Sequence, residues 1–522
     1  MVQAAVPPIV EAIVAQAPPG WTRAVLSSAA STGGVSVAGG YSVRGGSRLS
    51  GHVPAPFSEL MRLAEALREM RGWRRTSLEI ACLPSGQYEL VAFADTVTSL
   101  RGRAGGFQVV LDPGYELPQP GMTAQEEGTA APAGDPDLAV ARFRAYMERG
   151  AAILGRPQPL TPPASAAALE EAERRIGRPL PADLRALYEI ANGDDVRRGN
   201  LRPFGNAAWL GLESVTAVHE DIREPMPPGW ELGWDRVVFD ADPPDTVRRC
   251  GGHPAWLPFA TGEDGNFLAV DMSPARYGRP GQVIRVGRDH DDGPAYLADS
   301  VTSLLGHYLD LLERGEYEQD EYEDGIFLPD PDDRPGHGKI VGELPRDIPP
   351  GIQAMHINDA ASPVDLTPLT AAHRLRRLHL NRCATGDLAP IRSLPVESLR
   401  VTLAGGDLTP LEGHPHLTAL DLGAAAPVDL APLRSVPNLR SLDVSRADVH
   451  DLTVLTDLPD LRYLALTTRQ WHVLLEQGKA PVTLAAARLA DDTAALDEAL
   501  AWASCLGVDT RDSVHVTGVH TV

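Results

Sequence analysis

A handful of residues in this chain have the types and spacings from which chemistry is built. Cys250 and His253 stand at a CxxH spacing, half of a zinc-binding set, but no further pair of ligands follows nearby. Cys383 offers a thiol, yet it fills a position that recurs along the sequence as Ala360, Ala404, Ala425 and Ala447. A small buried residue is what that position calls for. Asp289-His290-Asp291-Asp292-Gly293 is rich in oxygen donors but lacks the alternating spacing and terminal glutamate of a calcium loop. The pairs His307/Asp310 and His472/Glu476 sit at helical spacing and supply only two ligands each, as an ordinary polar helix face does. No GxSxG, no HExxH and no phosphate-binding glycine loop with lysine occurs. These residues predict no enzyme, no metal and no cofactor.

What remains is charge. The chain carries 70 acidic against 47 basic side chains, a net charge of −23 and a pI near 5.0. Nucleic-acid binding depends on Lys and Arg neutralising phosphates, so direct nucleic-acid binding is not expected. A basic protein would be drawn in by the same field. Residues 313–333 concentrate ten carboxylates, interleaved with Tyr317, Tyr322 and Phe327. They read either as a self-repelling solvated linker or as a phosphate mimic that fills a basic nuclease cleft, with the aromatics as anchors. On the second reading Glu318, Asp320, Glu321, Tyr322 and Glu323 are partner-binding residues. Only Lys339 and Lys479 are lysines; with abundant Ala, Gly and Pro this has the look of a GC-rich bacterial genome. Cys82, Cys250, Cys383 and Cys505 lie far apart, which suits a reducing cytosol better than a disulfide framework. Ala15-Gln16-Ala17 imitates a cleavage site, but Glu11 interrupts the apolar stretch and no Lys or Arg precedes Arg23, so no leader is expected. No run of about 18 apolar residues is present, so no membrane span is expected. The expected location is cytoplasmic.

The elements that must hold these charges announce themselves by repetition. Asp-Leu-x-Pro-(Leu/Ile) begins at Asp365, Asp387, Asp407 and Asp429, and a proline-less copy begins at Asp451, at intervals of 22, 20, 22 and 22 residues. Between these pentads three apolar positions recur: Ile352-Met355-Ile357, Leu375-Leu378-Leu380, Val396-Leu399-Val401, Leu417-Leu420-Leu422, Leu439-Leu442-Val444 and Leu461-Leu464-Leu466. A period of 20–29 residues with this pattern resembles the bacterial leucine-rich repeats, which implies a stacked solenoid presenting a binding surface. Each aspartate is expected to cap a turn on the convex side, because an Asx side chain accepts backbone N–H bonds. Period-two alternation places His356, His379, Arg400, Asp421, Asp443 and Ala465 in one outward column on the concave sheet. A parallel column holds Ala354, Arg377, Ser398, Ala419, Ser441 and Tyr463. One half of this face is basic and the other acidic, which suits a protein of complementary charge. His356, Arg377, His379, Arg400, Asp421, Asp443 and Tyr463 are therefore also partner-binding candidates.

The rest of the chain divides by composition. Residues 1–112 read as a small domain of order β-β-α-β-β: strands within Thr22–Ser28 and Val35–Val43, a helix from Phe57 toward Trp73, and a hairpin of Leu78–Leu83 and Tyr88–Phe93 around Pro84-Ser85-Gly86. The helix ending at a tryptophan and followed by that hairpin resembles the YezG-like immunity proteins. Residues 113–136 form a Pro-rich linker, and 316–350 an acidic, then Pro-rich one. In 137–315 a helix over Ala164–Ile176 precedes Leu180-Pro181-Ala182-Asp183-Leu184 and Ala191-Asn192-Gly193-Asp194. Pro181 suits a helix start and Asn192-Gly193 a helix end. Trp256-Leu257-Pro258-Phe259-Ala260 follows, then the Asp264-Gly265 turn, a strand at Gly281–Val286 and a helix from Ser300 to about Arg314. This series resembles the SUKH superfamily, whose members include bacterial immunity proteins and a fungal cell-wall assembly regulator.

The expectation is a multidomain α+β chain. It comprises an N-terminal α+β sandwich, a central α+β SUKH-like domain, a C-terminal α/β leucine-rich repeat solenoid over 351–470, and a helical cap over 471–522. The resemblance implies a non-catalytic immunity protein or antitoxin that occludes a toxin, often a nuclease. The alternative is an intracellular scaffold or regulatory adaptor. The sequence sets no oligomeric state.

Overall fold

The computed structural model describes residues 2–31, 34–43, 53, 56–73, 76–93, 97–99, 106–112, 114–123, 125–156, 159–194, 202–223, 236–290, 292–320, 325–329, 331, 338–360, 363–478, 480–491 and 494–520. The chain folds as two units. One joins Met1–Tyr115 to Gly338–Val522, and the other comprises Glu116–Pro227 and Arg236–His337.

In the first unit the apolar N-terminal stretch, for which the sequence predicts no element, is a helix, α1 (Val2–Ala15). It buries Val6, Ile9, Val10 and Ile13 at helical spacing. The β-β-α-β-β order then follows: β1 (Trp21–Ser31), β2 (Gly34–Val43), α2 (Phe57–Arg71), β3 (Thr76–Cys82) and β4 (Gln87–Phe93). β3 and β4 pair antiparallel from Cys82↔Tyr88 to Ser77↔Phe93, as the hairpin pattern predicts. From Leu90 onward β4 is buried on both faces. Leu90 and Ala92 enter a core with α1 and α2, whereas Val91 and Phe93 enter the core of the repeat region. Two further short strands follow, β5 (Val97–Ser99) and β6 (Phe107–Val110).

The repeat region begins one strand earlier than the periodicity indicates. β14 (Lys339–Gly342), β15 (Ala354–Asn358), β16 (Arg377–Asn381), β17 (Ser398–Leu403), β18 (Ala419–Ala424), β19 (Ser441–Arg446), β20 (Tyr463–Leu466) and β21 (Ala486–Leu489) lie side by side, parallel and in chain order. Between strands the aspartates cap turns as expected. Asp365, Asp387, Asp407, Asp429 and Asp451 each accept the N–H two residues on, at 2.9, 2.7, 2.9, 2.8 and 2.8 Å. Each bond opens a short 3-10 turn, and four of these turns carry Pro near the start, where a missing N–H costs nothing. The leucines then fall inward: Leu366, Leu388, Leu408 and Leu430 are buried and Leu452 is half-buried.

The last fifty residues do not make the purely helical cap expected over 471–522. Helices α9 (Thr468–Glu476) and α10 (Leu496–Cys505) are present, but β21 lies between them and β22 (Ser513–Val519) follows. β22 pairs antiparallel with β4, so the end of the chain completes the N-terminal sheet, whose order is β2-β1-β3-β4-β22. Reciprocally, β6 pairs antiparallel with β21, and the N-terminal segment closes the repeat sheet. Trp73 Nε1 donates to Asp512 Oδ2 at 2.8 Å, and His520 N–H to the Gly86 carbonyl at 2.8 Å. Gly86 has φ +79, and a Cβ there would stand 2.0 Å from the His520 carbonyl oxygen, so only glycine fits.

The second unit starts with α3 (Pro120–Thr123), α4 (Pro136–Leu154), α5 (Ala166–Ile176) and α6 (Ala182–Tyr188). It continues through β7 (Ala208–Trp209), α7 (Leu212–Arg223), β8 (Trp256–Thr261), β9 (Asn266–Asp271), β10 (Gln282–Gly287), β11 (Ala295–Ala298) and α8 (Val301–Arg314). The strands form one antiparallel sheet ordered β11-β10-β9-β8-β7. α6 ends at Tyr188, before Asn192-Gly193. The asparagine instead starts a different helix: its Oδ1 accepts the Leu212 N–H at 2.9 Å, at the head of α7.

Asp183, in the Leu-Pro motif, is the joint of this unit. Its Oδ2 accepts both the N–H and the hydroxyl of Thr302 at 3.0 Å, so α6 caps α8. The carboxylate is buried, and a Cβ on Gly134 would stand 2.5 Å from its Cγ. Asp183→Ala leaves the buried Thr302 N–H without this acceptor and is expected to cost about 3 kcal/mol. Denaturant unfolding of the variant checks this.

Both segments that read as linkers carry structure. In 113–136 the carbonyls of Gly121 and Gln125 each accept from Arg248 Nη1 at 3.1 Å, and Gln125 Oε1 accepts the Arg249 N–H at 2.9 Å. Arg248 is buried, and its fork of donors satisfies carbonyls that composition alone leaves unassigned. In 316–350 a two-stranded hairpin pairs β12 (Glu318–Asp320) with β13 (Gly325–Phe327), and Ile326 and Leu328 are buried in the second unit's core.

Candidate functional site

The ladder that stacks the repeats also lines up their charges. Register places Val341, His356, His379, Arg400, Asp421, Asp443, Ala465 and Arg488 opposite one another on successive strands, with Gln108 of β6 next to Arg488. A second line runs Lys339, Ala354, Arg377, Ser398, Ala419, Ser441 and Tyr463. The seven candidates on this sheet therefore share one face. Glu318 and Asp320 lie on β12 in the other unit, while Glu321, Tyr322 and Glu323 fall outside the described residues.

The acidic half is neutralised from within. Asp421 is held between two guanidiniums: Arg400 Nε donates to its Oδ2 at 2.7 Å and Arg446 Nη2 to its Oδ1 at 2.6 Å. Asp443 accepts from the N–H and hydroxyl of Ser445 at 2.9 and 2.6 Å, with Arg488 Nη1 3.9 Å away. Burial, with Asp421 opposite, pushes the Asp443 carboxyl above the usual carboxylate range. Tyr463 is fully buried, and that burial raises its phenol. Its side chain is thus packing within the protein and not an exposed anchor. Asp421→Ala would strand Arg400 and Arg446; because both are partly exposed to solvent the expected cost is about 2 kcal/mol. Thermal unfolding in low and high salt checks it.

The basic half is more open. His379 is buried and shares a hydrogen bond of 3.0 Å with Ser398 Oγ, and its ring meets that of His356 edge-on at 4.9 Å. Burial, together with Arg400, His356, Arg377 and Lys339, pushes its imidazole down to about 2, so it is neutral at physiological pH. His356 and Arg377 are half-buried and Lys339 is exposed.

Sequence reasoning missed Arg446 and Arg488. Arg446 lies two residues beyond Val444 of the expected inward pair, where the strand irregularity between Asp421 and Gly423 on the neighbouring strand brings it back to the face. Arg488 belongs to Leu484-Ala487-Leu489, which repeats the three-two apolar spacing one period after Leu461. Alanine at the central position made it look like helix.

The chemistry-bearing residues elsewhere are used structurally. Cys383 is buried with its Sγ 3.7 Å from the Ile357 carbonyl. His253 Nδ1 accepts the Ala255 N–H at 3.1 Å, and burial lowers its imidazole to about 4. Asp289 pairs with Asn266 across a turn, at 2.8 Å. Asp271 is raised to about 7 by burial, and accepts from Ser273 N–H and Gln282 Nε2 at 2.9 Å each, which ties the strand ends together. Among the described residues no group of three or more His, Cys, Asp or Glu is arranged to hold a metal ion, and no helix is long and apolar enough to cross a membrane.

Residues 163–307 match the SMI1 / KNR4 family (SUKH-1). The glucan synthesis regulatory protein of Neurospora crassa is 37% identical over 185 residues, which span 29% of this chain and 34% of that protein. The cell wall assembly regulator SMI1 of Saccharomyces cerevisiae is 33% identical over 87 residues, 16% of this chain and 17% of that protein. The chain therefore spans about a third or less of these curated relatives. Among solved structures, an internalin C2 from Listeria monocytogenes aligns at 26% identity over 22% of this chain and 52% of that one, with a TM-score of 0.20.

Proposed function

We propose that this protein acts by binding another protein, as an immunity protein that occludes a bacterial toxin in the cytoplasm. The observation that carries the reading is the charged face of the parallel sheet. Seven candidate residues from six strands share it, and internal ion pairs hold its acidic half in place. A preorganised polar face loses little side-chain freedom on binding. The SUKH-1 match over 163–307 supports the immunity reading, and the net charge of −23 favours a basic partner such as a nuclease domain. On this reading the repeats form a leucine-rich repeat solenoid. The N-terminal sheet with α2 is a second, YezG-like immunity element, and Glu318 and Asp320 belong to an acidic decoy.

The names of the fungal relatives favour a second reading, a regulator that assembles other proteins. Co-expression separates the two. Growth rescue from a toxin encoded beside this gene, together with a stoichiometric complex weakened by Arg400→Glu, is the expected result. Absence of rescue and of any complex with each neighbouring toxin would sink the immunity reading, and capture of a stable multi-protein assembly from the native cell would replace it.

A further inference from the structure

We propose that the outer edge of β14 takes up an extended acidic segment of another protein, added as one more strand whose carboxylates meet Lys339, His356 and Arg377. Among the described residues β14 is the terminal strand of its sheet. The Gly338 carbonyl accepts the Ala354 N–H at 2.7 Å, toward β15. Alternation along a parallel ladder then turns the amides and carbonyls of Lys339 and Val341 the other way, to the open side. The same two residues put their side chains on the charged face, opposite Ala354 and His356. Val341 is 63% exposed, a large value for an apolar strand residue, and Lys339 is exposed beside it.

The chemistry of the occupant follows from charge. The chain as a whole is strongly negative, yet the groups acting on His379 from this end of the sheet are Arg400, His356, Arg377 and Lys339, all basic. Glu343 lies beyond Gly342, whose φ of +123 ends the strand. An extended segment alternating carboxylates with apolar side chains would satisfy the edge amides by strand addition, place apolar groups along Val341, and put its charges over the basic cluster. This holds whether or not the partner of the face as a whole is a toxin.

The test uses the full chain and fluorescence anisotropy with two labelled probes, a short peptide alternating Val with Asp and Glu and its lysine counterpart, and with unlabelled inorganic polyphosphate as competitor. The acidic peptide is expected to bind and the lysine peptide not. Lys339→Glu and Val341→Pro are each expected to weaken binding about tenfold, and both sites are exposed, so unchanged thermal unfolding confirms the fold. Val341→Pro removes an outward N–H that no neighbouring strand among the described residues uses, and Val341→Thr, which keeps that N–H, should bind as the parent does. Equal affinity of Val341→Pro, or full displacement by polyphosphate, would reduce the site to general anion attraction and overturn strand addition. No binding of the acidic peptide would also overturn it, leaving Lys339 and the short length of β14 as protection of a sheet edge.

Discussion

A chain ending at Thr510 is expected to lose its N-terminal sheet, although the deleted residues lie at the other end of the sequence. β22 supplies the neighbour of β4 along seven residues, from Ser513↔Phe93 to Val519↔Gln87. Its removal takes away Val514 from the core, the Trp73–Asp512 bond and the Gly86–His520 bond. A buried valine contributes about 1.5–3 kcal/mol and each ladder bond about 1. The total, on the order of 5 kcal/mol or more, is comparable with the whole stability of a domain. The exposed edge of β4 would also invite intermolecular pairing. Hydrogen exchange should show lost protection in β1, β3 and β4 and in β21, because Val91 and Phe93 of β4 share the repeat core. Amides of β8 to β10, in the other unit, should keep theirs. A truncated chain that remains monomeric, with β4 fully protected, would show that the sheet does not depend on its fifth strand.

Acidification is the second large effect. The folded-state value of His379 lies far below the ordinary 6.5, so below pH 6.5 the unfolded chain takes up a proton that the folded one refuses. Its contribution to stability is complete above pH 6.5 and is lost progressively as the pH falls toward the folded value. At about 1.4 kcal/mol per pH unit, the loss between pH 6.5 and 5 is roughly 2 kcal/mol. Asp443 works in the opposite sense. Its carboxyl is raised on folding, so its contribution is present at low pH and fades as the pH rises through its folded value. Comparing the parent with His379→Asn isolates the histidine: denaturant midpoints across pH 7.5 to 5 should fall more steeply in the parent by that amount. Parallel pH profiles would place a charged imidazole in the folded state and contradict the burial argument.

Much of the repeat region was legible because its causes are local and periodic. An aspartate two residues before a turn amide caps it wherever it occurs, and leucines two apart on a strand face one way whatever their surroundings. So Asp365 to Asp451, the six inner strands and the charged columns could be placed from residue type and spacing. The same holds in the second unit for α5, α8 and the β8–β9 hairpin, each marked by its own start, stop or turn residue. The charged columns were legible as positions but not as a network, since Arg446 returns to the face through a strand irregularity.

The sequence by itself thus determined the repeated strand-and-turn units, α5, α8 and the β8–β9 hairpin of the second unit, and the sign of the long-range field. Tertiary structure alone decided which distant segments complete which sheet. β6 beside β21 and β22 beside β4 pair residues hundreds of positions apart, and no local pattern encodes a partner at that distance. Backbone hydrogen bonds are the same for every residue type, so a strand's neighbour is chosen by the cores its two faces can enter. For β4, with Leu90 and Ala92 in one core and Val91 and Phe93 in another, that choice exists only once both cores have formed.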